Sequence, residues 1–452
     1  MNEMIDPKWA WEPFKPSSKT PWDLRAASHL FRRAGFGASR QELESAVKQD
    51  PQDLVQELLA AREPESFQGE MNSLIRAGLA SGNIRSLSAQ WAYRMLRTPA
   101  QLREKMTLFW HGHFATSGSK VEDAKLMQQQ NDLLRKHALG DFGKLALEIS
   151  KDPAMLIYLD SASNRKAHPN ENYAREIMEL FCLGEGNYTE ADIRELARCF
   201  TGWEIKRNKF RFNRYQNDRG EKSVLGTTGN LSGEDGVRIV VQQDSAPVFL
   251  VRKLIRFFVM DEPTAPDELI QPLAEKMRDD GMQIAPTVGR ILSSNLFFSA
   301  HSRGRKLRSP VEVAIGFLRC LEGSTDAYQL STAMEKLGQG LYFPPSVKGW
   351  DGGRTWINSS TLLGRANLIR EVLSGGKSRF AKQSISDFMA KQKVFGIRNL
   401  INWLDTSLFA VRIPGSTHER IVKIDRDAGG DAETRLKDAI HLVCSLPEFQ
   451  LA

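Results

Sequence analysis

TPWDLRAASHLFRRAG, residues 20–35, is the stretch on which the fold class turns. Thr20 offers a capping hydroxyl, Pro21 occupies a first helical position where no N–H is needed, and the acid Asp23 follows two residues on; together they mark a helix start. Behind them Leu24, Ala27, Phe31 and Ala34 recur at intervals of three and four and form one apolar stripe. Gly35 stands where a helix C-terminus takes a left-handed residue. The idiom returns at Asp50-Pro51-Gln52-Asp53, Thr98-Pro99-Ala100-Gln101 and Ser309-Pro310-Val311-Glu312, and without proline at Ser39 to Glu42 and Thr189 to Asp192. Gly140 and Gly184 repeat the role of Gly35, and Leu126, Leu133, Leu134 and His137 form another stripe. The first 200 residues read as nearly all helix.

The pattern breaks over about 203–230. WEIKRNKFRFNRYQNDRGEKSVLGTTGN alternates Phe210 and Phe212 with Arg211 and Asn213 among turn-formers, which predicts a small β-hairpin or irregular excursion. Helical periodicity then resumes over 233–260, 266–280, 285–294, 310–322, 326–337, 360–373, 397–405 and 432–445. The expected fold is mainly α and multi-helical: an N-terminal helical region over 1–202, the basic-aromatic excursion over 203–231, and a C-terminal helical region over 232–452 that carries a Trp/Gly loop at 344–360. No fixed-period repeat is present.

With 452 residues, 41% hydrophobic and 26% charged, the composition is that of a globular protein of two or three domain-sized cores. MNEMIDPKWAWEPFKP lacks the basic start and apolar run of a secretory signal, and no apolar segment follows Arg32-Arg33, so a cytoplasmic location is expected. The most apolar stretch, 246–260, is interrupted by Arg252, Lys253 and Arg256, and a membrane span asks for roughly 20 apolar residues. Cys182, Cys199, Cys320 and Cys444 lie too far apart for a zinc motif. A net charge of +7 permits an anionic partner without demanding one.

Several strings resemble the domain-of-unknown-function 1800 family of bacterial proteins: RAGFG at 33–37, FWHGHF at 109–114, NENYAREIMEL at 170–180, FTGW at 200–203, GQGLYFPPSVKGW at 338–350 and LPEF at 446–449. They span most of the chain. The resemblance brings no catalytic residues with it. Relatives often look secreted and are often found beside a second uncharacterised family, which implies envelope or polymer biology.

NENYAREIMELF is the sharpest candidate for chemistry. On a helix of about 100° per residue, Tyr173, Ala174, Ile177, Leu180 and Phe181 share an apolar stripe, and Glu171, Asn172, Arg175, Glu176 and Glu179 share the opposite face. Glu176 and Glu179, at i and i+3, suit an acid–base pair or the ligation of a divalent metal, with Arg175 anchoring an anion. A solvated face with a Glu171–Arg175 ion pair accounts for the same pattern. In WHGHF, a persisting helix separates His111 from His113 by about 200°, whereas an extended chain places both on one face for a shared ion. On the helix His113 joins Leu102, Met106 and Phe109 as a core histidine, and its meeting with the Glu176 helix would make a mixed His113–Glu176 metal site.

The loop PPSVKGWDGGRTWINSS offers Trp350 and Trp356 beside Asp351, Arg354 and Asn358, ahead of a helix that Ser359 or Ser360 would cap. Such a loop suits a sugar ring or other flat ligand, and equally suits two tryptophans buried to pin it. Seven Lys or Arg lie between Lys206 and Lys222 among Phe210, Phe212 and Tyr215, and Arg303, Arg305, Lys306 and Arg308 form a second basic cluster. These fit a polyanion. The lack of a helix-turn-helix, zinc finger or RNA-binding signature disfavours nucleic acid, and the lack of GxxxxGK[ST] or GxSxG disfavours nucleotide and standard serine hydrolysis. Two functions stand: a hydrolase-like or metal-assisted enzyme on a polar, polysaccharide-like substrate, using Glu176, Glu179, Arg175 and His113 with the tryptophan loop; or a non-catalytic protein engaging an anionic polymer or a partner protein.

Overall fold

Most of the capping signals become helices because the cap residue's own oxygen reaches the first turn. Asp50 accepts from the Gln52 and Asp53 N–H groups ahead of Pro51–Ala60, and Ser39, Thr189 and Ser309 close reciprocal boxes with Glu42, Asp192 and Glu312. The computed structural model describes residues 5–452. Among them 25 α-helices carry the chain, and strands are confined to three two-stranded antiparallel sheets. The protein is mainly α. No helix among the described residues is long and apolar enough to cross a membrane.

Two helices start later than their prolines predict. Leu24–Ala34 begins after Asp23, because that carboxylate, not Thr20, takes the cap by accepting from the Ala26 N–H at 2.9 Å. Gln101–His113 begins after Ala100, whose N–H is held in a preceding turn by Thr98 Oγ1 at 3.1 Å. The expected 233–260 run is two helices, Gly233–Val241 and Ser245–Phe258. Pro247 has no N–H to give and fits only a first turn, so the chain breaks and restarts just before it. Gly35 is not left-handed (φ −144°) and Gly140 is not either, whereas Gly37 and Gly184 are. Asn358, not Ser359 or Ser360, caps Ser359–Ser374, accepting from the Thr361 N–H at 2.9 Å. Ile385–Lys391 and Gly415–Asp427 are helices that the periodicity did not show.

The excursion is β-structured. Trp203–Lys206 pairs with Lys209–Phe212, placing Trp203 opposite Phe212 and Ile205 opposite Phe210. The connecting Arg207 and Asn208 both have positive φ, as a tight hairpin with the right-handed strand twist requires. Lys222–Val224 pairs with Thr227–Gly229. Phe210 packs on Trp203, but Phe212 is 51% exposed and Tyr215 68%, so only part of the alternation faces inward.

Two hydrophobic cores form. One joins Leu30, Trp110, Phe142, Phe181, Leu254 and Phe297, and so draws on the chain on both sides of the excursion. The other joins Trp91, Ile315, Leu318, Ile369, Leu404 and Phe449. The Gln101–His113 helix serves both, giving Met106, Phe109 and Trp110 to the first and Leu108 to the second. Its polar side chains are therefore buried too and must be paired. Glu104 accepts from Trp91 Nε1 at 2.9 Å and from Arg135, and Lys105 is paired with Glu312.

Candidate functional site

At the C-terminal end of that central helix a cleft of about 230 Å³ opens, near the small end of ligand pockets, which run to roughly 300–1,000 Å³. Its walls come from four places: Phe109 and His113 on the central helix; Lys253, Arg256 and Phe257 on Ser245–Phe258; Lys306 and Glu312 at the start of the next helical layer; and Lys348, Trp350, Asp351 and Trp356 from the tryptophan loop. The loop meets the helix backbone to backbone at Gly349 and Gly112, and the Trp350 indole lies over Gly112. Nearby, the Tyr342 N–H donates to His111 Nε2 at 3.1 Å, with Trp91 and Trp350 against the imidazole. Burial holds His111 neutral, its pKa down at about 3.

His113 is on the helix and buried, as its apolar neighbours predict. Its ring is fixed at both nitrogens. Nε2–H donates to the Phe181 carbonyl at 2.9 Å, and Nδ1 accepts from Lys253 Nζ at 3.2 Å. Burial lowers its pKa well below the usual histidine value and the Lys253 charge lowers it further, so it stays neutral. Lys253 also donates to the Leu180 carbonyl at 2.9 Å. Both carbonyls belong to the end of the NENYAREIMELF segment, which is α-helical only over Asn172–Glu176 and then widens into a π-turn over Ile177–Cys182. The carbonyls of a last turn have no intrahelical partner; here Lys253 and His113 take them. π-turns inside helices recur at functional sites.

The polar face of this segment is tied to its neighbours. Glu179 accepts from the Tyr188 hydroxyl at 2.8 Å, and Arg175 forms a two-pronged pair with Glu190 at 2.7 Å, beside a longer contact of 3.7 Å to Glu171. Glu176 is half-buried; burial raises its carboxyl pKa, Glu179 adds to this, and Arg175 and Lys348 oppose it. None of the three lines the cleft, and Glu176 comes nearest through its electrostatic reach to Lys348. Among the described residues no group of three or more His, Cys, Asp or Glu is placed to hold a metal ion, and the His113 ring has no nitrogen free for one.

Of the loop residues, Trp350 and Trp356 wall the cleft and Trp350 Nε1 is buried without an acceptor. Asp351 reaches it as an exposed side chain, with its carbonyl accepting from Arg256 Nη2 at 2.7 Å. Arg354 is largely exposed and pairs with Glu262 at 2.5 Å, and Asn358 is committed to its helix cap; neither lines the cleft.

Sequence reading missed the cationic lining. Lys306 is neutralised by Asp261 at 2.7 Å. Burial would raise the Glu312 carboxyl, but Lys105 and Lys306 outweigh it and hold it at about 2, ionised. Lys253, Arg256 and Lys348 have no carboxylate within ion-pair distance among the described residues, and Asp351 is the cleft's one unpaired acid among them. Burial, helped by Arg256, lowers the Lys253 ammonium to about 8. The one signal was the interruption of an apolar run by Lys253 and Arg256. Of the two basic clusters, Lys306 belongs to the cleft and Arg308 is buried, Nε donating to the Leu451 carbonyl at 3.0 Å.

The fold and the site thus define a helical protein with a small cationic, tryptophan-walled cleft at the seam of its two cores. The chain belongs to the DUF1800 family, proteins of unknown function, whose model matches residues 29–451. No curated protein and no solved structure matches it.

Proposed function

We propose that the cleft receives a small organic anion built on a ring, an acidic sugar or the end of an acidic polysaccharide being the class that fits its size. The reading rests on one observation: three cations without carboxylate partners, Lys253, Arg256 and Lys348, share a cleft with Trp350 and Trp356. Tryptophan faces suit sugar rings, a buried Trp350 Nε1–H wants an acceptor, and unpaired ammonium and guanidinium groups attract a carboxylate or phosphate. Titrating the protein with glucuronate while following tryptophan fluorescence tests it. Saturable quenching that weakens with added salt, is absent with glucose, and is lost in Lys348→Ala with Arg256→Ala supports the reading. Binding that instead disappears on neutralising Arg211 and Arg214 would move the site to the exposed hairpin.

A catalytic version draws on the half-buried Glu176. A carboxyl whose pKa is raised by burial and by a neighbouring carboxylate suits a general acid. In this version Glu176 and Glu179 serve a bond held at the cleft rim near Lys348. Release of the chromophore from an aryl glucuronide, abolished by Glu176→Gln with the melting temperature nearly unchanged, is the expected result.

A further inference from the structure

Lys253 is held only by uncharged groups. Its Nζ contacts the Leu180 carbonyl at 2.9 Å and His113 Nδ1 at 3.2 Å, and the Phe249 ring centre lies 4.5 Å away. His113 Nε2–H is spent on Phe181, so Nδ1 is an acceptor and never a donor to the amine. A neutral amine has two N–H groups, which match these two acceptors, and one lone pair left over on a side chain that lines the cleft. An ammonium has only the Phe249 ring face left for its third proton.

We infer that Lys253 is a nucleophilic amine that forms an imine with a ligand bearing both an anionic group and an aldehyde or ketone. The inference rests on the anion-binding reading of the cleft and deepens it by naming a second group on the ligand. The Lys253 lone pair forms a C–N bond to the carbonyl carbon, the carbonyl π pair moves to its oxygen, and a proton passes from nitrogen to that oxygen. The nitrogen pair then closes C=N while the C–O bond breaks, and the oxygen, taking the amine's second proton by way of solvent, leaves as water. The other ionisable groups near the amine are Arg256, whose charge favours the neutral form, and Cys182, a buried thiol whose pKa is pushed up by burial, so that it stays uncharged. The pKa of about 8 at Lys253 leaves roughly a tenth of the amine neutral at pH 7, against about 0.04% for an ordinary lysine.

Pyridoxal 5′-phosphate serves as the probe, because it joins an aldehyde to a ring and a phosphate. The full chain is incubated at pH 7 with an equimolar amount, reduced with borohydride and mapped by peptide mass spectrometry. Lys253 should be labelled on the order of a hundredfold faster than the surface lysines, and Lys253→Arg should lose that label. Label spread over surface lysines with Lys253 unmodified overturns the inference. Pyridoxine 5′-phosphate, which lacks the aldehyde, separates the two readings. Fluorescence quenching by it together with an unlabelled Lys253 sinks the imine alone, and no binding of either compound sinks the anion site as well.

Discussion

Gly349 and Gly112 touch backbone to backbone: a methyl group on Gly349 would lie 2.0 Å from the Gly112 carbonyl oxygen. This contact seats the tryptophan loop on the central helix. It explains why a glycine stands at position 349 in GQGLYFPPSVKGW, a string that lies far from FWHGHF in sequence, 231 residues separating Tyr342 from His111, yet is joined to it by the bond from the Tyr342 N–H to His111. Gly349 also has φ +76°, a conformation that side chains resist.

Gly349→Ala should therefore cost at least about 2 kcal/mol in urea unfolding and should weaken anion binding by displacing Trp350. Gly112→Ala is the contrast. Its new methyl would sit 3.5 Å from the Trp350 ring, an ordinary contact, and alanine favours a helix, so stability should hold or rise by about 0.5 kcal/mol. Equal losses in both would mean that the loop is not seated this way.

Arg33, in RAGFG, belongs to the scaffold. Its Nη2 donates to the carbonyls of Val259, Ser302 and Ala452 at 3.1, 2.9 and 2.9 Å, tying the end of the Ser245–Phe258 helix to the two segments that follow. Burial lowers even this guanidinium, to about 10. Arg33→Ala leaves three carbonyls without that donor and should cost about 3 kcal/mol or more, read by urea unfolding or by loss of soluble protein. A variant that melts like the wild type would remove Arg33 from this role.

The sequence showed the helices best where local chemistry decides them, as at Asp50 and Ser309, and erred where a neighbour competes, as when Asp23 displaced Thr20 at a cap. It drew attention to His113, Trp350 and Trp356, because bulky or ionisable groups in a distinctive string stand out, and all three line the cleft. It put Glu176, Glu179 and Arg175 on one polar face, and could not show that Glu179 meets Tyr188 or that Arg175 meets Glu190, because those partners lie outside the segment. Lys253 was out of reach. Its meaning comes from one carbonyl, that of Leu180, 73 residues upstream and a histidine 140 residues away, and from the lack of any acid beside it, none of which is written near position 253.

Lys253 also has a signature in stability. In the folded chain it gives up its proton near pH 8, whereas the unfolded lysine keeps it to roughly 10.4. Between those values the unfolded state binds more protons, so stability rises with pH across the window; below pH 8 both states are protonated and burial exacts its full penalty. The unfolding free energy of the wild type minus that of Lys253→Met should be flat below pH 7 and climb from pH 8 to 10. A difference that stays level to pH 10 would assign Lys253 an ordinary pKa.

Glu176 separates binding from catalysis. It lies within electrostatic reach of Lys348, so its negative charge offsets part of the attraction that the cleft holds for an anion. If the site only binds, Glu176→Gln should tighten glucuronate two- to threefold at low salt, on the order of 0.5 kcal/mol, and the gain should fade as salt screens it. If Glu176 is the acid of a hydrolytic step it carries its proton in the working form, so the same substitution removes the proton donor and turnover of the aryl glucuronide vanishes while binding changes little. Because the folded carboxyl pKa is raised, ionised Glu176 costs stability at neutral pH, and removing its charge should leave the melting temperature unchanged or slightly higher. A fall of several degrees would show instead that the carboxylate is held by a favourable partner, and both roles at the cleft rim would then lose their basis.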